Sequence, residues 1–295
     1  MRRLNACLLA IALPSALAMT TLPAPILAAP AVELAPSTPW DMHYADDSCL
    51  LGRVFGKDEE SVTLLLERFR PGGFFELKVV GKRFRKHTPG MPVRSGFGPR
   101  VGLSNSAAIT AKTDDTFGSM LFLGGWDLLG PVASSDQKPR PISVAMAAKI
   151  IEFTIERGGG PPFTLKLGRM DRPLLAMDTC MTALVKSWGF DAARLARYRS
   201  GPAIKGRPGN WVTDQDYPKD MQRGGFSGLV QFRLTVDASG KPSACVIQRQ
   251  TKPEGFAALT CKLLMERARF EPALDEDGKP APGYFISSVR FNNPY

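Results

Sequence analysis

Few side chains in this sequence are placed to do covalent or acid–base chemistry. Ser135-Asp136-Gln137-Lys138 has the spacing at which a helix-borne lysine would activate a serine nucleophile, but Pro139 and Pro141 follow at once and forbid that helix. Gly158-Gly159-Gly160 lacks the Lys-Ser/Thr ending of a phosphate loop and runs into Pro161-Pro162, so a hairpin turn accounts for it. The two histidines, His43 and His87, are isolated from one another. Glu152 and Glu156 fit a solvated strand edge better than a general acid–base pair. No enzymatic activity is expected, and neither a cofactor nor a metal.

The cysteines carry more information. Five are present, and Cys7 falls in an export-like leader: Met1-Arg2-Arg3 is basic, Ala6 to Leu13 is apolar, and Ala16-Leu17-Ala18 is a small-residue cleavage site. A second exit lies at Ala28-Ala29, so the cut falls after residue 18 or as late as 29. The rival reading keeps residues 6–29 as an anchor, against which Pro14, Pro23 and Pro25 break up the roughly 20 apolar residues a spanning helix needs. Cys245 falls in an extended stretch and Cys261 in a helical one just downstream, where a bridge is sterically natural. In the chain-entropy model it would stabilise the domain by about 3 kcal/mol. By elimination Cys49 pairs with Cys180. Neither pair has the close spacing of a zinc knuckle. Export to an oxidising periplasm would close both bonds; an anchored chain would sit at the inner membrane with the same domains outside.

With 295 residues, 44% of them hydrophobic, the chain can fill two cores. Its net charge is +10, falling to +8 once Arg2 and Arg3 leave with the leader. Apart from Lys82 to Lys86 the cations are scattered, so solubility explains them better than an anionic partner, and nucleic acid is not expected outside the cytoplasm.

The elements that would position a site are clearest at the C-terminal end, residues 212–295. Lys219 to Arg223 is a short helix stopped by Gly224-Gly225. In Leu229 to Val236, the side chains of Val230, Phe232, Leu234 and Val236 alternate with Gln231, Arg233 and Thr235, the signature of a half-buried strand. Asp237-Ala238-Ser239-Gly240 turns the chain into a partner strand, Ser243 to Gln248. From Phe256 the period becomes helical, with Phe256, Leu259 and Leu263 on one row and Ala258, Lys262 and Met265 on another, until Pro272 forbids continuation. A polar turn then leads to a last strand, Tyr284 to Phe291.

The order helix, strand, strand, helix, strand resembles the C-terminal domain of TonB energy transducers. The residues that carry the likeness are Tyr217-Pro218, Gly228-Leu229-Val230-Gln231-Phe232, Val236-Asp237-Ala238-Ser239-Gly240-Lys241, Arg267-Ala268-Arg269-Phe270-Glu271-Pro272-Ala273, Gly278-Lys279-Pro280 and Val289-Arg290-Phe291. The resemblance implies binding of a peptide from another protein: the short N-terminal box of an outer-membrane TonB-dependent receptor, added as a strand to the sheet edge. The edge strand would be Tyr284, Phe285, Ile286, Ser287, Ser288, Val289 and Arg290. Preference would be set by Phe285, Ser287 and Val289 or by Ile286, Ser288 and Arg290. Asp216, where the family places a polar residue before Tyr217-Pro218, is the matching receptor-contact position together with Tyr217. The alternative is a strand whose edge is covered by another chain or by the tail Asn292 to Tyr295. Energy-carrying members also hold an N-terminal helix with a histidine that engages an inner-membrane motor, and a long Pro-rich spacer. Here both histidines lie outside residues 6–29 and only a short Pro/Ala stretch, 19–39, follows, so the motor is not expected as a partner. A scaffolding or binding protein of the envelope without energy transfer is the second reading.

No family is recognised from the residues of 40–199. Strands are expected at Ser48 to Phe55, Ser61 to Phe69, Phe74 to Val80, Ala107 to Lys112, Ser119 to Leu123, Ile150 to Ile155 and Phe163 to Leu167. Asp171 is expected to cap a helix running from Pro173 to Gly189. The pattern predicts an α+β protein: a β-rich, sandwich-like domain with a C-terminal helix, a solvated Gly/Pro linker at 200–211, and the small domain at 212–295.

Overall fold

Alternation of apolar residues in the first half of the chain builds two facing sheets. The computed structural model describes residues 32–85, 87–88, 91–98, 102–106, 108–112, 118–132, 142–158, 161–251 and 254–293. The leader with Cys7, the Ser135 to Lys138 tetrad, and Gly159 with Gly160 lie outside the described residues. Ala31–Tyr295 folds as one compact unit.

Its strands begin with β1 (Val32–Leu34), β2 (Asp41–Tyr44), β3 (Cys49–Phe55), β4 (Val62–Arg68), β5 (Phe75–Gly81) and β6 (Val93–Gly98). They continue with β7 (Ser104–Ser106), β8 (Ile109–Lys112), β9 (Ser119–Asp127), β10 (Gly130–Pro131), helix α1 (Val144–Ala147), β11 (Glu152–Arg157) and β12 (Phe163–Lys166). Helices α2 (Asp171–Ser187) and α3 (Ala192–Leu195) follow. One sheet has the order β1-β12-β11-β6-β7, the other β10-β9-β5-β4-β3-β2 with β8 paired to β9. In β4 every second residue, Val62, Leu64 and Leu66, is fully buried, as period-2 burial requires. Phe97 and Phe153 of the first sheet meet Phe75 and Trp126 of the second, with Phe75–Phe97 and Trp126–Phe153 centroids each 5.9 Å apart. Edge-to-face aromatic packing thus closes the sandwich.

The chain departs from expectation at its start. Val32–Leu34 lies within the stretch expected to be linker, yet it pairs in parallel with Phe163–Leu165, and Ser37 donates its N–H to Val54 O. Three consecutive residues with Leu34 turned inward suffice to satisfy an edge that β12 would otherwise leave bare. Asp171 is the first residue of α2 rather than its cap, Met170 preceding it, and its carboxylate accepts from Arg169 at 2.8 Å. The expected bond Cys49–Cys180 is present, joining the third strand, not the first, to α2.

The rest of the chain comprises β13 (Ala203–Ile204), α4 (Lys219–Arg223), β14 (Gly228–Val236), β15 (Pro242–Gln250) and α5 (Ala257–Arg267). Last come β16 (Phe270–Glu271), β17 (Ala273–Leu274), β18 (Pro280–Ala281) and β19 (Gly283–Phe291). The expected linker is not a free loop: Ala203–Ile204 pairs with Phe270–Glu271, Lys205 N–H donates to Arg269 O, and Trp211 enters the core beneath α5. Its Gly and Pro residues bend the backbone, while the intervening residues still find hydrogen-bond partners, as a covered backbone must. The sheet order β15-β14-β19 puts β14 in the centre, with Val230, Phe232, Leu234 and Val236 buried under α5. On α5 the buried residues are Ala257, Thr260, Leu263 and Leu264, while Ala258 and Lys262 are exposed. Gly240 turns β14 into β15 at φ +82°, where a Cβ would strike the Phe270 carbonyl, so only glycine fits. Cys245–Cys261 ties β15 to α5 as expected.

The two disulfides differ in shelter: Cys49 and Cys180 are buried to 0% and 1% exposure, whereas Cys245 and Cys261 are half-buried. Thiolate attack needs access. Mild reductant should therefore open Cys245–Cys261 in the folded protein and leave Cys49–Cys180 intact until the chain unfolds. Alkylation of trapped thiols and peptide mapping checks this; simultaneous opening of both would refute it.

Candidate functional site

β19 pairs with β14 over nine consecutive residues, from Gly283↔Val236 to Phe291↔Gly228, without a bulge. No strand pairs with its other side among the described residues. The register settles which side chains face where. Phe285 and Val289 pack into the α5 core, Phe285 against Phe270 at 4.9 Å between centroids, and Ser287 shares their face by alternation. Tyr284, Ile286, Ser288 and Arg290 lie on the outer face, and Ser288 and Arg290 are exposed. Asn293 turns away towards the start of β14, its N–H on Ser227 Oγ at 3.0 Å and its Nδ2 on Gln222 O at 2.9 Å.

The outer face of this sheet is not open to water throughout. Gln231 and Arg233, expected on the polar side of β14, are 8% and 6% exposed because the sandwich covers them. Arg249 grips Glu76 with both guanidinium nitrogens, Nη2 donating to Oε1 at 2.7 Å and Nη1 to Oε2, and Nη2 also donates to Gln231 Oε1 at 3.1 Å. Arg233 lies 4.3 Å over the Trp188 ring and 3.8 Å from Asp47. Burial lowers the Arg233 pKa and raises that of Asp47. Gln248 Nε2 donates to Asp47 O and Phe69 O. Tyr284 packs between Trp188 and Phe190, with ring centroids 5.2 and 5.7 Å away, and burial pushes its phenol up to about 12. At the middle of β19 a cleft of about 130 Å³ opens between the sandwich and the C-terminal sheet, lined by Phe69, Phe74 and Phe122 on one side and Leu229, Ile286 and Ser288 on the other, with Glu76, Gln231 and Arg249 among its polar walls.

The other expected site residues are placed as follows. Asp216 has its carboxylate occupied within the domain: Arg267 donates to it at 2.6 and 2.9 Å, and the Thr213 N–H and hydroxyl at 2.9 and 2.8 Å. The Arg267 guanidinium beside it holds its pKa far below the usual carboxylate range. Tyr217 donates to Phe226 O, and its ring packs on Phe256 and Phe291. His43 is exposed on β2, whereas His87 is buried beside Arg157, its pKa lowered by burial and then by that charge. A larger groove of about 650 Å³ along α2 contains Asp171 and Asp178 but neither histidine; Arg169 pairs with the first and Arg68, at 2.5 Å, with the second. Sequence reasoning missed the covering of the outer face. The signal was there in part: Arg233 and Arg249 both belong to the face that packs against another body, but Trp188 and Phe69 carry no mark of being their partners.

A helix packed over a three-stranded antiparallel sheet, with the last strand at its edge, defines a small α+β class of domain. Residues 213–292 match the family of the Gram-negative bacterial TonB protein C-terminal, and this segment of the chain is a TonB-type C-terminal domain. Such domains are energy-transducing or binding modules rather than enzymes, and belong to envelope-associated proteins that contact other envelope proteins. No curated protein and no solved structure matches this chain. Among the described residues no helix is long and apolar enough to cross a membrane.

Two consequences can be measured. Removing either member of the Arg249–Glu76 pair strands the other charge in a half-buried interface, so a double-mutant cycle with Arg249→Met and Glu76→Gln should return a coupling of about 1–3 kcal/mol. A coupling near zero would mean that the interface does not depend on the pair. For Asp216 the folded pKa lies below the unfolded value of about 3.9, so its contribution is complete above that pH and is lost as pH falls through the folded value. Urea midpoints of the wild type and Asp216→Asn should therefore differ most near neutrality and converge in acid; a gap that stays constant with pH would contradict this.

Proposed function

We propose that this is a TonB-like envelope protein that binds an extended segment of a partner by adding it as a fourth strand beside β19. The observation that carries the reading is the asymmetry of the two sheet edges. β15 is interrupted twice, with register shifts at Gln231/Phe232 and Thr235/Val236, and bulges of this kind discourage further pairing. β19 is straight and continuous, with one side committed to β14. An unbroken row of backbone donors and acceptors supplies affinity to any extended peptide, and the side chains beside it supply preference. The resemblance to energy transducers makes the N-terminal segment of a TonB-dependent outer-membrane receptor the partner of choice, in a periplasmic chain delivered by its leader.

One observation favours the second reading, an envelope scaffold that uses the same edge without energy transfer. The outer face of the domain is fastened to the sandwich through Arg249, Arg233 and Tyr284. A domain so held is less free to reach out than one on a flexible spacer. Both readings share the edge and differ in the partner.

A photo-reactive residue at Ser288, with a control at the exposed helix position Lys262, tests the proposal in cells. Adducts from Ser288 alone that contain the N-terminal segment of an outer-membrane receptor support transport. Adducts from Ser288 with other envelope proteins favour the scaffold. Equal labelling from both positions would sink strand addition.

A further inference from the structure

The cleft beside β19 belongs to neither domain alone. Phe69, Phe74 and Phe122 come from the sandwich, while Leu229, Ile286 and Ser288 come from the TonB-type sheet. Arg70 stacks on Phe74 at 5.1 Å, and Arg249, at 5.1 Å from Phe69, is directed to Glu76, so the aromatic faces carry cations at their rim. The cleft reaches Ile286, Ser287 and Ser288, the middle of the strand whose far side no other strand pairs with among the described residues. Its volume, about 130 Å³, is close to the roughly 150 Å³ in which a dry apolar cavity holds a benzene ring.

We propose that the sandwich forms one wall of the peptide site, so that the partner is an extended segment with one leucine- or phenylalanine-sized side chain and, four residues along, a carboxylate. This rests on strand addition at β19. In a paired sheet, directly opposite residues project from the same face. A residue of the added strand opposite Ile286 therefore points to the face bearing the cleft, where Phe69, Phe74, Phe122, Leu229 and Ile286 are joined by Arg249, Glu76 and Gln231. Those three polar side chains are already bonded to one another, so a polar side chain entering the cleft would have to compete with them, whereas an apolar one meets the rings. The residue opposite Arg290 lies on that same face beyond the cleft, where Arg290 is exposed. Opposite charges across a strand pair attract, so the exposed Arg290 favours a carboxylate opposite it. The two requirements fix the spacing, because Ile286 and Arg290 are separated by two alternations of one strand.

Fluorescein-labelled nine-residue peptides of alternating threonine and valine, scanned position by position with Leu, Phe, Glu and Lys, are titrated into the full chain by fluorescence anisotropy. Backbone N-methylated copies serve as a control for strand pairing, and the titrations are repeated with Phe74→Ala, Phe74→Trp and Arg290→Glu. The expected result is binding lost on N-methylation and a preference for Leu or Phe at one position of about tenfold. That preference should weaken in Phe74→Ala and in the cleft-filling Phe74→Trp. Four residues away, a preference for Glu of about threefold should turn into one for Lys in Arg290→Glu. N-methyl-sensitive binding whose preferences are unchanged in every variant would leave strand addition standing and overturn the sandwich wall. Absence of binding by the whole panel would remove strand addition, and this proposal with it.

Discussion

Covering the outer face of the C-terminal sheet buries the Arg233 guanidinium and half-buries that of Arg249, and the remaining features of the molecule depend on how those charges are met. A cation moved into a protein interior costs several kcal/mol unless hydrogen bonds and an opposite charge compensate. Arg249 is compensated in full, by a two-pronged grip on Glu76 and by Gln231. Arg233 is compensated in part, by the Trp188 ring face and by Asp47 at 3.8 Å, while its Nε is buried without a hydrogen bond. Because such pairs demand defined geometry, they orient the small sheet on the sandwich more strictly than apolar contact would. Cys49–Cys180 holds in place the helix that ends in Trp188, so a bond deep in one domain positions a contact at the surface of the other.

That orientation leaves the sheet with unequal edges. β15 carries the bulges and the Cys245–Cys261 bond, and is thereby committed to its own helix. β19 keeps a regular register and lies with its midpoint at a cleft lined by aromatic rings from the sandwich. Beside that edge the aromatic rings of the sandwich add side-chain surface to what β19 itself presents.

Much of this was legible in the sequence. Alternation in Val230, Phe232, Leu234 and Val236 fixed the central strand, Gly240 its turn, and the positions of the four cysteines both disulfides. These are local signals, each set by a period or by one residue's backbone freedom. The pairing of Val32–Leu34 with β12 was hidden because three residues are too few to show a period, and the Pro/Ala context masked them. The stapling of Ala203–Ile204 to Phe270–Glu271 was hidden because Gly and Pro announce a bend and say nothing of what lies beside it. The docking of Arg233 and Arg249 was hidden for a different reason: a charged strand face looks the same whether it meets water or a matched set of acids and rings on another domain. Asp216, a receptor-contact position by the resemblance, has its carboxylate bonded within the domain to Arg267 and Thr213, which no local pattern announced.

The central claim, that β19 presents an open edge, is tested most directly by hydrogen exchange at single-amide resolution across Gly283–Phe291. In an antiparallel edge strand alternate amides point to the neighbouring strand and away from it. The account predicts alternation: slow exchange at amides bonded to β14 and fast exchange at those between them, the fast set becoming protected when a binding peptide is added. Uniform protection of the whole strand in the free protein would mean that the edge is already covered, and would contradict the account.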